Sequence, residues 1–143
     1  MTTVSQVIQQ KKNSTIFTIS PDASIVDAVN LMTTQDIGAV IVTEHQRVVG
    51  ILSERDCARK VILHSLNAED TLVSEIMTAN VISVRLNNSV EECLTLMTDR
   101  HLRHLPVLEN EVLVGLVAIG DLVKATIQDQ HDLIEQLQRY ITS

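Results

Sequence analysis

Apolar and polar residues alternate along this chain with a period that changes several times, and the changes divide it into short elements. Val48-Val49-Gly50-Ile51-Leu52 is an apolar, mostly branched run that predicts a strand buried on both faces. Ser53 follows with Asp56 three residues on, the signature of a helix N-terminus closed by a capping box. Cys57, Ala58, Val61 and Ile62 then recur at helical spacing and are expected to face inward. Upstream, Gly38 to Val42 predicts a strand and Glu44-His45-Gln46 a hairpin turn. Ser24 with Asp27 opens another helix, whose apolar face holds Ile25, Ala28, Val29, Leu31 and Met32. Pro21 keeps Ser20 out of helical angles, so Ser20 to Ala23 predicts a turn after the short extended segment Ile16–Ile19. Residues 1–15 are polar, with a basic Lys11-Lys12-Asn13-Ser14 centre, and predict a lead-in turn and loop.

The pattern is written twice. Gly50 returns as Gly115 and Asp56 as Asp121, each 65 residues on. At the same offset Val81–Val84 answers Ile16–Ile19, Ser89 with Glu92 answers Ser24 with Asp27, and Leu96-Met97-Thr98 repeats Leu31-Met32-Thr33. Leu105-Pro106-Val107-Leu108 and Val112 to Ala118 answer the two hairpin strands. This is a divergent duplication of a β-α-β-β-α unit. It predicts an α/β (α+β) fold of two such repeats related by a pseudo-two-fold axis, plus a C-terminal helix. The divisions are 1–66 (first repeat with its lead-in), 67–127 (second repeat) and 128–143 (helical tail). In the tail, Leu133, Ile134, Leu137 and Ile141 fall on one helical stripe, which either covers the chain's own core or packs against a second subunit.

Composition narrows the function. A hydrophobic fraction of 45% supports a folded interior, and one Phe, one Tyr and no Trp make that interior aliphatic. Scarce aromatics and a net charge of −7 oppose binding to nucleic acid or to an anionic membrane. Apolar runs are far shorter than the roughly 20 residues that span a bilayer. No signal peptide is visible at the start, so the expected compartment is the cytoplasm. Cys57 and Cys93 form no spaced motif and are expected to be buried free thiols. His101-x-x-His104 lacks a predictable third ligand, so no metal site is expected. With no nucleophile elbow, P-loop or paired carboxylates, neither is catalysis.

The doubled Gly-apolar-apolar-Ser/Thr-x-x-Asp junction, with Val73-Ser74-Glu75-Ile76-Met77-Thr78 and Arg103-His104-Leu105-Pro106-Val107, resembles the cystathionine β-synthase (CBS) domain family. The chain is similar to one tandem pair, a Bateman module, standing alone from Val4 to about Ile127. The resemblance implies adenosine-containing ligands (AMP, ADP, ATP, NAD(H) or S-adenosylmethionine) in clefts between the repeats, with no obligatory cofactor. It implies Asp56 and Asp121 as ribose acceptors, a carboxylate being able to accept from both cis hydroxyls. It places Ser53 near ribose or phosphate, where a helix N-terminus favours an anion. Ala118, at the matching position, departs from the pattern. Thr18-Ile19 and Ser83-Val84 are implied as adenine contacts and Arg103-His104 as phosphate contacts, with uncharged Gly38-Ala39 at the matching place in the first repeat. Arg55, Arg59 and Lys60 are either a solvated face or contacts for a polyphosphate. The expected function is regulatory sensing of an adenine nucleotide by a homodimer of pairs that acts on an unknown downstream protein. The alternative is an adaptor that binds no ligand and works by protein contact.

Overall fold

The computed structural model describes residues 1–11 and 15–142, so Lys12-Asn13-Ser14 of the expected basic loop lie outside the described residues. In chain order the elements are α1 (Val4–Gln10), β1 (Thr18–Ile19), α2 (Ile25–Gln35), β2 (Ala39–Glu44) and β3 (Arg47–Ser53). There follow α3 (Glu54–Asp56) running into a π-helical segment (Cys57–Ile62), α4 (Val73–Ile76), α5 (Val90–Arg100), β4 (His104–Glu109), β5 (Val112–Ala118) and α6 (Ile119–Thr142). They form two compact units, Ile16–Ile82 and Met1–Thr15 with Ser83–Ser143, each a small sheet with helices, as the mixed class requires.

In the Ile16–Ile82 unit the sheet order is β1-β2-β3, with β1 parallel to β2 and β3 antiparallel to it. Ser24 caps α2, its hydroxyl accepting from the Asp27 N–H at 3.1 Å. That fixes the register in which Ile25, Ala28 and Met32 point into a core shared with Val40, Val42 and Leu52. The strand buried throughout its apolar run is β2, from Ala39 to Val42, and not the motif strand. In β3 only Gly50 and Leu52 are fully buried, because successive side chains alternate between the core face and the outer face. The segment after Asp56 also departs from expectation. Cys57 and Val61 are buried, but Ala58 and Ile62 are exposed, Ile62 by 73%. The wider π-helical turn, in which Leu63 N–H donates to Ala58 O at 3.3 Å, rotates them off the inward face. Val29 of α2 is likewise exposed. Residues 67–82, which the repeat boundaries group with the second repeat, close this unit. Ser24 bridges Leu72, and Ile51 exchanges two backbone bonds with Thr78 at 3.0 and 2.9 Å.

The other unit follows the same plan, with β4 antiparallel to β5. Here the counterpart of β1 is only a bridge, Val84 pairing in parallel with Val107. Instead of a loop, the lead-in is a helix: Thr3 and Gln6 close a full capping box on α1, and Val4 and Val7 are buried. Val4 and Ser5 donate to Asn88 and Leu86 carbonyls at 2.9 and 3.0 Å, which ties α1 to the start of α5. Ser89 and Glu92 close a second full box.

Both hairpins turn through two residues in the left-handed region, His45 and Gln46 (φ 52° and 67°) and Asn110 and Glu111 (φ 51° and 67°). Two consecutive positive φ values make the type I′ turn that matches strand twist, and the second position favours glycine. Glu111→Gly is therefore expected to raise stability by about 1 kcal/mol, seen as a higher urea midpoint at unchanged slope. An unchanged or lower midpoint would show that the turn is not strained.

Candidate functional site

The two Gly…Asp junctions fold alike because the same acid closes each. At the end of β3 the Ser53 hydroxyl accepts from Asp56 N–H at 3.1 Å, and Asp56 Oδ2 accepts from Ser53 N–H at 3.0 Å. At the end of β5, Asp121 Oδ2 accepts from Ala118 N–H at 2.9 Å, although Ala118 has no hydroxyl to return. The acid's half of the box thus survives the loss of the serine. Asp121 behind Ala118 has a capping role of its own, so its presence there does not by itself point to a ligand.

A lysine stands beside each carboxylate. Lys60 Nζ lies 3.7 Å from Asp56 Oδ1 and donates to Ile76 O at 2.9 Å. Lys11 Nζ lies 3.1 Å from Asp121 Oδ2 and donates to Leu116 O at 2.9 Å. Both acids are about three-quarters buried, at 23% and 26% side-chain exposure. Lys60 is legible from its position four residues after Asp56. Lys11 is not, since the chain separates it from Asp121 by 110 residues. Another cation that sequence reasoning overlooks is Lys124, which stands three residues after Asp121 as Arg59 does after Asp56. Lys124 lines a groove of about 380 Å³ between α1 and α6, together with Val7, Gln10, Lys11, Asp121, Ala125 and Gln128.

Within the Ile16–Ile82 unit, the register brings Gly38, Ala39, Ser53 and Asp56 to one end of the sheet. Ala39 pairs with Ser53, and Gly38 O accepts from Glu54 N–H at 3.0 Å. Thr18 and Ile19 pair further along β2, opposite Ile41 and Val42, Thr18 exposed and Ile19 half-buried. In the other unit Arg103 O accepts from Ile119 N–H at 2.9 Å, and His104 pairs with Ala118. Arg103 is exposed and His104 half-buried. Ser83 is exposed, but the Val84 side chain is buried, so Val84 offers a ligand its backbone only. Arg55 and Arg59 are exposed. At the strand–helix end the first unit therefore gathers Gly38, Ala39, Ser53 and Asp56, and the other Arg103, His104 and Asp121, while Ile19 and Val84 pair about three residues further along their sheets.

Both thiols are held in the protonated form. Burial, with Asp56 and Glu54 adding, raises the Cys57 pKa, and burial with Glu92 takes Cys93 up to about 11. Both are free and buried. Among the described residues no three His, Cys, Asp or Glu side chains converge on a possible metal position, and no helix is long and apolar enough to cross a membrane.

A family model described as CBS domain matches residues 4–63 and 73–127. The chain is 34% identical over 148 residues to the CBS domain-containing protein CBSX3, mitochondrial, of Arabidopsis thaliana, covering 98% of this chain and 72% of that one. The solved structure of a signal-transduction protein with CBS domains from Burkholderia ambifaria superposes with a TM-score of 0.87 at 45% identity, covering 90% of this chain and 96% of that chain. The CBS domain pair of protein MJ0100, in complex with 5′-methylthioadenosine and S-adenosyl-L-methionine, superposes with a TM-score of 0.78 at 22% identity. It covers 90% of this chain and 98% of that chain, a likeness of fold.

Proposed function

The chain belongs to the CBS-domain family as a tandem pair of regulatory modules, and from that premise we propose that it senses an adenosine-containing ligand without catalysing a reaction. The observation that carries the reading is the pair of equivalent, mostly buried carboxylates, each oriented by a backbone N–H at 3.0 or 2.9 Å. An acid so held accepts hydrogen bonds from two vicinal hydroxyls with little loss of side-chain entropy. Lys60, Lys11 and Lys124, with Arg55, Arg59, Arg103 and His104, supply the positive charge that the phosphates of a nucleotide, or the carboxylate of a methionine-linked nucleoside, would meet in an otherwise acidic chain. The MJ0100 pair was solved with two adenosine derivatives, which supports that ligand class here. Ligand binding would act on the downstream protein by favouring one arrangement of a homodimer of pairs, to the extent that the two arrangements differ in affinity.

Capping accounts for Asp121 without a ligand, and Ala118 and Gly38-Ala39 remove a hydroxyl and a charge that phosphate binding would use. These features favour the second reading, an adaptor that works by protein contact. A thermal-shift panel with AMP, ADP, ATP, NAD⁺, NADH and S-adenosylmethionine on nucleotide-free protein separates the two. At 100 times Kd a ligand adds about 2.7 kcal/mol, a rise of roughly 5–10 °C. Asp56→Asn and Asp121→Asn keep an oxygen for the cap while removing the charge. The sensor reading expects one of them to abolish the rise for one ligand while leaving the ligand-free melting temperature within a few degrees. Flat curves across the panel would promote the adaptor.

A further inference from the structure

The four methionines of the chain stand in three different settings. Met32 and Met97 are sealed in the interior at 1% and 2% exposure, and Met1 is 90% exposed. Met77 is partly exposed and packs against the core of the Ile16–Ile82 unit. Its thioether sits on Gly50. A Cβ added to that glycine would fall on Met77 Sδ, and would lie 2.9 Å from Met77 Cγ and 3.1 Å from the Thr78 carbonyl oxygen. The space left by the missing side chain of Gly50 is thus the seat of the sulfur. Ile51 and Thr78 close that seat with their two backbone bonds of 3.0 and 2.9 Å. We propose that Met77 is a modification site, oxidised reversibly to the sulfoxide by a hydroperoxide, and that the added oxygen unlocks residues 76–78 from β3.

The step needs only the oxidant. A sulfur lone pair attacks one oxygen of hydrogen peroxide, and an S–O bond forms as the O–O bond breaks. The proton on the transferred oxygen passes to the departing oxygen, which leaves as water. The thioether gives up two electrons and the peroxide takes them, and the product is a polar, chiral side chain in place of a flexible apolar one. That product does not suit the seat. A sulfoxide oxygen can only accept, the Thr78 carbonyl beside it can only accept, and the Ile51 and Thr78 N–H groups are already spent across the bridge. The new oxygen either stays unpaired in a partly buried place or takes a bridge N–H, and both outcomes weaken the closure. The loosening reaches the candidate site. The Ile76 carbonyl, one residue from Met77, accepts from Lys60 Nζ at 2.9 Å, and that ammonium lies 3.7 Å from Asp56 Oδ1. In the other unit the residue that a Cβ on Gly115 would meet is Ile8, which has no sulfur to oxidise. Oxidation therefore acts on the Asp56 junction and spares the Asp121 junction.

This inference does not rest on ligand binding, and its test uses the full, ligand-free chain, so the thermal-shift panel and the following experiment fail separately. After mild treatment with hydrogen peroxide, peptide mass mapping is expected to find sulfoxide at Met77 and Met1 well before Met32 or Met97. The oxidised chain is expected to melt roughly 5–10 °C lower. Amide-exchange protection at Ile51 and Thr78 is expected to fall on the order of tenfold or more. Methionine sulfoxide reductases should restore both. Met77→Leu fills the seat with a similar volume and no sulfur, so it should keep its melting temperature and its protection through the same treatment. Cys57 and Cys93 are buried, and Met77→Leu retains both, so the variant also reports any thiol contribution. Oxidation of Met77 no faster than that of Met32 and Met97 overturns the proposal. So does a Met77 sulfoxide that leaves melting and protection unchanged. An equal loss in Met77→Leu overturns it as well, since the effect would then belong to another residue.

Discussion

Leu52→Ala is expected to destabilise the Ile16–Ile82 unit by about 3 kcal/mol, within the roughly 2–5 kcal/mol range for leucine removed from a packed core. Leu52 has 0% exposure, and its side chain belongs to a cluster built from three directions. Ile25, Ala28 and Met32 come from α2, Val40 and Val42 from β2, and Val73 and Ile76 from α4. The cluster is held in place by backbone, because Val73 N–H donates to Ala23 O at 2.8 Å and Ile25 N–H to Thr71 O at 2.9 Å. Such a frame cannot collapse onto the space a leucine leaves, so the cavity cost adds to the lost transfer energy. In a domain whose whole stability is about 5–15 kcal/mol, that loss is large. Urea unfolding followed by far-ultraviolet dichroism checks it, with Ile62→Ala as the companion. Ile62 repeats in the sequence as an inward position but is 73% exposed, so its loss should stay within about 0.5 kcal/mol. Equal costs at the two positions would mean that the π-helical segment does not turn Ile62 outward in solution.

That contrast shows where sequence reasoning reaches and where it stops. Features written in residues three or four apart are legible. Ser24, Ser53 and Ser89 each announce a helix, and each hydroxyl accepts from the N–H three residues on, at 3.1, 3.1 and 3.0 Å. The duplication makes Asp56 and Asp121 stand out before any geometry is known. A π-helical turn has no such signature, because its i→i+5 bonding responds to the packing around it. α1 carries the Thr-x-x-Gln form of the same capping signal. Its polar run from Gln9 through the masking lysines hides it, and the α5 start that ties it down lies some eighty residues further along. The Lys11–Asp121 pair fails for the same reason, since only the fold makes those residues neighbours. What the carboxylates are for is a different matter. Local chemistry puts an acid at each junction, and the structure gives each one a capping bond that explains it without any ligand, so function has to be read from binding.

The glycine of each junction separates packing from ligand chemistry most sharply. Gly50→Val is expected to cost about 3 kcal/mol, and Gly115→Val about 1 kcal/mol, as overpacking of unequal severity. Both glycines are buried, have ordinary φ values and sit beside a bulge of the same kind, where the register skips Val49 in β3 and Val114 in β5. A Cβ at Gly50 would run into the Met77 side chain and come within 3.1 Å of the Thr78 carbonyl. That carbonyl is fixed, because it accepts from Ile51 N–H at 3.0 Å in the bridge that closes the unit. Valine there must break the bridge or push Met77 out. A Cβ at Gly115 meets the end of Ile8 at 2.7 Å and Val107 only at 3.9 Å, with no backbone in the way. The Ile8 side chain is half-buried and swings aside at the cost of one rotamer. Paired urea titrations of the two variants decide the point. A larger loss at Gly50 assigns the glycine to closure of the strand against Thr78. Equal losses, or a larger loss at Gly115, would mean that backbone approach does not govern the position, and would return the glycine to the space a ligand needs.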